Sequence, residues 1–168
     1  MYQFCPRPLR PAPALALLAL LALGLAACGG AGFGTRGPAT PAQAPEIPAT
    51  IRAEEVVGRW GYAAFHRPDD RARTETAARN QCRQPYVISA GQAGGVIMHL
   101  ADQNQPQELR LKGATGGRNF IGPAGPAGGP QDREVVTFDG RVMILRFVES
   151  EVAGRYGMSV YVRCTPRA

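Results

Sequence analysis

From Ile51 to Cys164 the chain is a series of short apolar runs cut by turn signals, and no other feature constrains its fold as tightly. Runs this short suit strands better than core helices, and their close spacing predicts an antiparallel meander. The strand candidates are Val56–Phe65, Tyr86–Ile88, Gly95–Leu100, Glu108–Leu111, Val135–Phe138, Arg141–Val148 and Tyr156–Cys164. The expected fold is mainly β: a small antiparallel β-barrel or sandwich with one short helix.

The last run alternates cleanly. Tyr156, Met158, Val160, Val162 and Cys164 fall on one face, and Gly157, Ser159, Tyr161 and Arg163 on the other. The first set is expected to point inward. Asp139-Gly140, between two apolar runs, favours a two-residue type I′ turn, which sets Phe138 opposite Arg141 and Val136 opposite Met143. The strand after that turn is apolar on both faces, which predicts a central strand. Pro68 to Cys82 is the one good helix candidate. Asp69 and Asp70 suit its N-terminus and Arg79 and Arg83 its end, while Arg71–Glu75 and Glu75–Arg79 are i,i+4 pairs. Its apolar face is thin (Ala72, Ala77, Ala78 and Cys82), so it is expected against a sheet edge or barrel end. Lys112 to Gln131 is rich in Gly and Pro and reads as a long loop, with a short edge strand at Asn119–Ile121.

Little in these runs carries chemistry. The Gly-rich loop lacks the Gly-Lys-Ser/Thr ending of a phosphate loop. His66 and His99 are the only histidines, far apart in sequence, whereas a zinc site needs three or four ligands. Ser89, Ser150 and Ser159 sit in no nucleophile motif. Glu149 and Glu151 flank a turn and read as solvated charge. No catalytic residue, metal ligand or cofactor is expected, and the chain reads as a non-enzyme.

The N-terminus supplies the compartment. Arg7 and Arg10 precede an uncharged, Leu/Ala-rich run from Ala12 to Ala27, the pattern of a secretory signal. The run is shorter than the ~20 residues of a spanning helix. Leu25-Ala26-Ala27-Cys28 resembles the lipobox of bacterial lipoproteins. That resemblance implies cleavage after residue 27, lipidation of Cys28, and anchoring in the membrane by more than one acyl chain. Gly29 follows the cysteine where Asp would favour inner-membrane retention, so the outer membrane, periplasmic side, is expected. Residues 28–50 then form a lipidated Pro/Gly/Ala-rich tether too poor in apolar side chains to fold, leaving 51–168 as one domain. With Arg7 and Arg10 removed, 17 of the 19 basic residues remain against 13 acidic ones. That modest, dispersed excess argues against a nucleic-acid partner.

With Cys5 lost in the signal and Cys28 lipidated, Cys82 and Cys164 are left to pair. A disulfide between them is expected to close the domain.

Trp60 is the single tryptophan. Its simplest role is core packing. Gly58-Arg59-Trp60 also resembles the G-x-W that opens lipocalin-like barrels. There an Arg from a late strand packs on the Trp; Arg163 and Arg155 are the candidates, although the alternation sets Arg163 on the outer face. Small bacterial metalloprotease-inhibitor barrels are similar too, with an early G-x-W and a disulfide, though one that joins cysteines closer in sequence. That likeness implies an N-terminal trunk that enters a protease, for which the tether would stand in. Three functions follow as expectations: a non-catalytic envelope binding or structural module, a periplasmic protease inhibitor, or a carrier of a small apolar ligand. Trp60, Tyr62, Met143 and Met158 are the candidate pocket. The partners expected are the membrane through Cys28 and an envelope protein or small apolar ligand.

Overall fold

The computed structural model describes residues 46–165. Cys28, the signal segment and the tether as far as residue 45 lie outside the described residues. Eight strands run in sequence order: β1 (Gly58–Phe65), β2 (Tyr86–Ala90), β3 (Val96–His99), β4 (Pro106–Ala114), β5 (Arg118–Gly122), β6 (Arg133–Phe138), β7 (Val142–Phe147) and β8 (Met158–Arg163). Each is antiparallel to the next, and β8 returns to pair with β1, so the sheet is a closed barrel. Closure leaves no unpaired edge. Three short helices accompany it: α1 (Ala53–Val56), α2 (Arg71–Asn80) and α3 (Ser150–Tyr156).

The barrel has two apolar faces. Inside, Trp60, Ile88, Val96, Met98, Leu109, Ile121, Met143, Leu145 and Tyr161 form one buried cluster. Outside, Phe65, Ile144, Val160 and Val162 pack with Ala78 of α2, and Met158 joins them. The helix therefore lies across the outer wall at β1 and β8, not at a sheet edge or barrel end. Gly61 makes this approach feasible: a Cβ there would fall 1.9 Å from the Ala78 carbonyl oxygen.

This outer layer reverses the expected polarity of the last strand. The alternation is real, but Met158, Val160 and Val162 face the helix while Ser159, Tyr161 and Arg163 belong to the barrel interior. Register agrees, since Tyr161 pairs with Tyr62 and Arg163 with Trp60. Alternation identifies two faces; it does not say which apolar face is the lumen when a helix covers the other. Cys164 follows the outer set and joins Cys82, just beyond α2, with Cα atoms 5.5 Å apart. The disulfide thus clips the helix to the wall.

Other expectations need correction. Tyr156 ends α3, and β8 starts only at Met158 after Gly157, which has a φ of +69°. The β6–β7 turn is not the type I′ turn expected at Asp139-Gly140. Phe138 lies opposite Met143, and the Asp139 amide donates to the Val142 carbonyl at 3.2 Å, so the turn residues are Gly140-Arg141. The Asp139 carboxylate accepts from the amides of Arg141 (2.8 Å) and Val142 (2.6 Å), so side-chain capping shifts the turn by one residue. A bulge between Val135 and Thr137 leaves Val136 exposed. The long loop expected at 112–131 is partly strand: β4 runs to Ala114, and β5 pairs on both sides, so it is no edge, which leaves 123–131 as the loop. Of the two helical ion pairs, Arg71–Glu75 forms at 2.9 Å. Asp70 pairs instead with Arg73 at 2.8 Å.

Candidate functional site

The two ends of the barrel are built differently. At one end α1 acts as a plug. Val56 is fully buried, with Ile51, Ala53 and Val57 against the inner cluster. Trp60 Nε1 donates to the Val56 carbonyl at 2.9 Å. The Arg163 guanidinium lies 4.2 Å from the Trp60 ring centroid, so Arg163, not Arg155, is the arginine on the tryptophan. It donates to the carbonyls of Gly140 (2.6 Å), Val57 (3.0 Å) and Glu55. Gly58 is required beside it: its φ is +148°, and a Cβ would sit 2.6 Å from Arg163 Nη1. The chain entering α1 is also fixed, because the Thr50 amide donates to Asn119 Oδ1 and the Gly113 amide to the Ile47 carbonyl. The folded unit therefore begins a few residues before Ile51.

The opposite end opens into a cavity of ≈ 180 Å³. Its walls are Tyr62, Tyr86 and Tyr161 from β1, β2 and β8, His99 from β3, Arg133 from β6 and Phe147 from β7, with Ser159 between them. The tyrosines are nested: Tyr161 lies 5.1 Å from Tyr62 and 5.7 Å edge-on to Tyr86, centroid to centroid. Tyr86 is held by its hydroxyl, which accepts from the His99 amide at 2.9 Å and lies 3.2 Å from His99 Nδ1. Tyr62 OH is 3.4 Å from Ser159 Oγ. Burial pushes the Tyr161 phenol well above its usual pKa and raises that of Tyr86, opposed by the nearby positive charge of Arg133.

Arg133 is the group that stands out. The residue is only 4% exposed. Register sets it between Ile121 and Phe147, and its guanidinium stacks 5.3 Å from the Phe147 ring centroid. Nη2 donates to the His99 carbonyl, and Nε is buried with no acceptor. No carboxylate among the described residues forms an ion pair with it. Asp102, the one carboxylate in the wall, is occupied at the rim by Arg155 (3.1 Å) and the Tyr156 hydroxyl.

Of the four residues expected to line a pocket, only Tyr62 does so. Trp60 and Met143 are fully buried core, and Met158 lies on the outer wall under α2. For Met158 the error follows from the reversed polarity of β8; Trp60 and Met143 do face the interior but are packed into its core. The residues missed are Arg133, Tyr86, Tyr161, His99, Phe147 and Ser159. A correct register across β5–β8 would have aligned several of them, but nothing local marks Arg133 as interior. A second, open groove surrounds the disulfide, with Arg79, Arg83 and Arg141 along it. Its arginines face solvent rather than an enclosed space. Among the described residues no group of three or more His, Cys, Asp or Glu is arranged to hold a metal ion. No described helix is long and apolar enough to cross a membrane.

Fold and site together define an eight-stranded antiparallel barrel, plugged at its tryptophan end and with a cavity at its tyrosine-lined mouth. No protein-family model, curated protein or solved structure matches the chain.

Proposed function

We propose that the protein is an outer-membrane lipoprotein facing the periplasm, whose barrel is a non-catalytic module that takes a small ligand at its mouth. The lipobox at Leu25–Cys28 supports the anchoring. The mouth cavity carries the binding reading. The buried cluster around Trp60, Met143 and Leu145 packs the barrel interior beyond the mouth, so the geometry disfavours a long apolar ligand threaded through the barrel. A compact molecule, or the compact end of a larger one, fits the space: a cavity of about 150 Å³ lined by apolar residues accepts benzene. Aromatic walls with a few fixed polar groups are the usual make-up of a small-molecule site. The Trp60–Arg163 pair is the arrangement that the likeness to lipocalin-like barrels implies.

The test is a screen of neutral and charged single-ring compounds against the full-length protein in nonionic micelles, read by amide NMR. Ser159→Phe, which fills the mouth, serves as the blocked control. Binding is expected to perturb residues 99–102 and 156–161 in the native protein and to vanish in the blocked variant. Perturbations confined to other surfaces, or none at millimolar probe, would overturn the reading. Mass spectrometry of the mature N-terminus tests the anchor: an unmodified Cys28 contradicts it.

A further inference from the structure

We infer that the mouth cavity is built for a compact aromatic carboxylate, whose anionic group is received by Arg133. This rests on the mouth being a binding site at all. Arg is always ionised near neutral pH, so Arg133 brings a full positive charge to a side chain that is almost wholly buried at the mouth. Buried charges are ordinarily paired, and buried donors ordinarily bonded. Arg133 departs on both counts, with no carboxylate ion pair among the described residues and with Nε lacking an acceptor. The contrast with Arg163 sharpens the point. That guanidinium uses Nε, Nη1 and Nη2 on three carbonyls, so its donors are structural. Arg133 uses Nη2 on one carbonyl and sets its guanidinium beside the Tyr161 hydroxyl, which leaves Nε without an acceptor.

The charge is also the wrong choice for stability. An apolar side chain of similar length would fill the position between Ile121 and Phe147 without the cost of desolvating a cation. An orphaned cation facing a cavity is explained by a ligand that supplies the missing anion. A planar carboxylate matches the guanidinium fork, since its two oxygens can accept two parallel N–H bonds. The walls define the rest of the ligand. Tyr62, Tyr86, Tyr161 and Phe147 present ring faces and edges around a space of ≈ 180 Å³, which suits one aromatic ring. Asp102 at the rim is already engaged by Arg155, so it does not neutralise Arg133 in place of the ligand.

Benzoate and benzyl alcohol, nearly equal in size and differing in charge, are titrated calorimetrically into the full-length protein in nonionic micelles, with micelle-only blanks subtracted. The expected result is saturable benzoate binding at least about tenfold tighter than that of benzyl alcohol, the difference a charge-assisted hydrogen bond makes. Arg133→Met is expected to remove this preference, so that the two probes bind it with equal affinity. Equal affinities in the native protein overturn the carboxylate inference and leave the mouth a binding site. Binding of neither probe overturns both. The comparison within the native protein stands even if the variant does not fold.

Discussion

The guanidinium of Arg163 lies over the indole of Trp60, 4.2 Å from its centroid, and ties the α1 segment and the β6–β7 turn to the plugged end of the barrel. Its acceptors are carbonyls of α1, of the residue after α1, and of the β6–β7 turn. Trp60 completes the knot through Val56. Arg163→Ala is therefore expected to destabilise the fold by about 2–4 kcal/mol, because it strands several carbonyls as well as removing a cation–π contact. Urea unfolding measures this, and Arg163→Lys should recover only part, lacking the planar fork.

The remaining Gly-rich segment, residues 123–131, is strapped down by a nearly buried ion pair. Lys112 Nζ donates to Asp132 Oδ1 at 2.6 Å and to the carbonyls of Pro123 and Pro126, while Asp132 Oδ2 accepts from the amides of Gly128 and Gly129. Removing either partner leaves an uncompensated buried charge. Lys112→Met or Asp132→Ala alone is expected to cost about 3–5 kcal/mol. Hydrogen exchange should then quicken at Gly128 and Gly129. The double variant should be less damaged than the sum of the two, by the logic of a mutant cycle.

Cys82 and Cys164 are 82 positions apart, and their bond holds the end of α2 to the outer wall. The chain-entropy model gives at most about 4.5 kcal/mol for a loop of this length. Reduction should lower the urea midpoint without changing the barrel's strand content. Non-reducing peptide mapping of the native protein should recover the two cysteines in one linked pair. Two free thiols would contradict the structure.

Stability should also fall at both extremes of pH. Burial raises the pKa of Tyr161 in the folded state above its value of about 10 in the unfolded chain. The stabilisation that goes with that shift is fully present below pH ~10 and is lost as pH rises through the folded value. Unfolding in alkali should therefore accompany Tyr161 ionisation, followed by phenolate absorbance, and Tyr161→Phe should weaken the pH dependence. At the acid end the sign reverses. Hydrogen bonds from Arg118 and Arg146 lower the pKa of Glu134, so its contribution is present above the unfolded pKa and lost as pH falls through the folded one. Glu134→Gln should flatten that limb of the unfolding curve.

Several parts of this architecture were legible in the sequence. Strand positions, the helix at 68–82 and the pairing of Cys82 with Cys164 all follow from period-two patterning, turn residues and the compartment implied by the lipobox. The barrel interior was not legible, for a physical reason. A strand such as β8, with the lumen on one side and a helix on the other, buries both faces, so its apolar set does not reveal which way is in. That pattern puts Met158 in the lumen and Tyr161 and Arg163 outside, the reverse of their positions in the barrel. Arg133 was hidden for a related reason: a charged residue at a strand start reads as solvent-facing unless the register across three strands is known. The turn at Asp139-Gly140 failed more locally, where the side chain of Asp139 outbid the dipeptide's backbone preference.

The central claim is that Arg133 is a buried cation held ready for an anionic ligand. Its Nε–Hε signal in the full-length protein, assigned by its disappearance in Arg133→Met, reports on this most directly. The account predicts that benzoate shifts the signal saturably and that benzyl alcohol leaves it in place. A signal that stays fixed while benzoate saturates the mouth would contradict it.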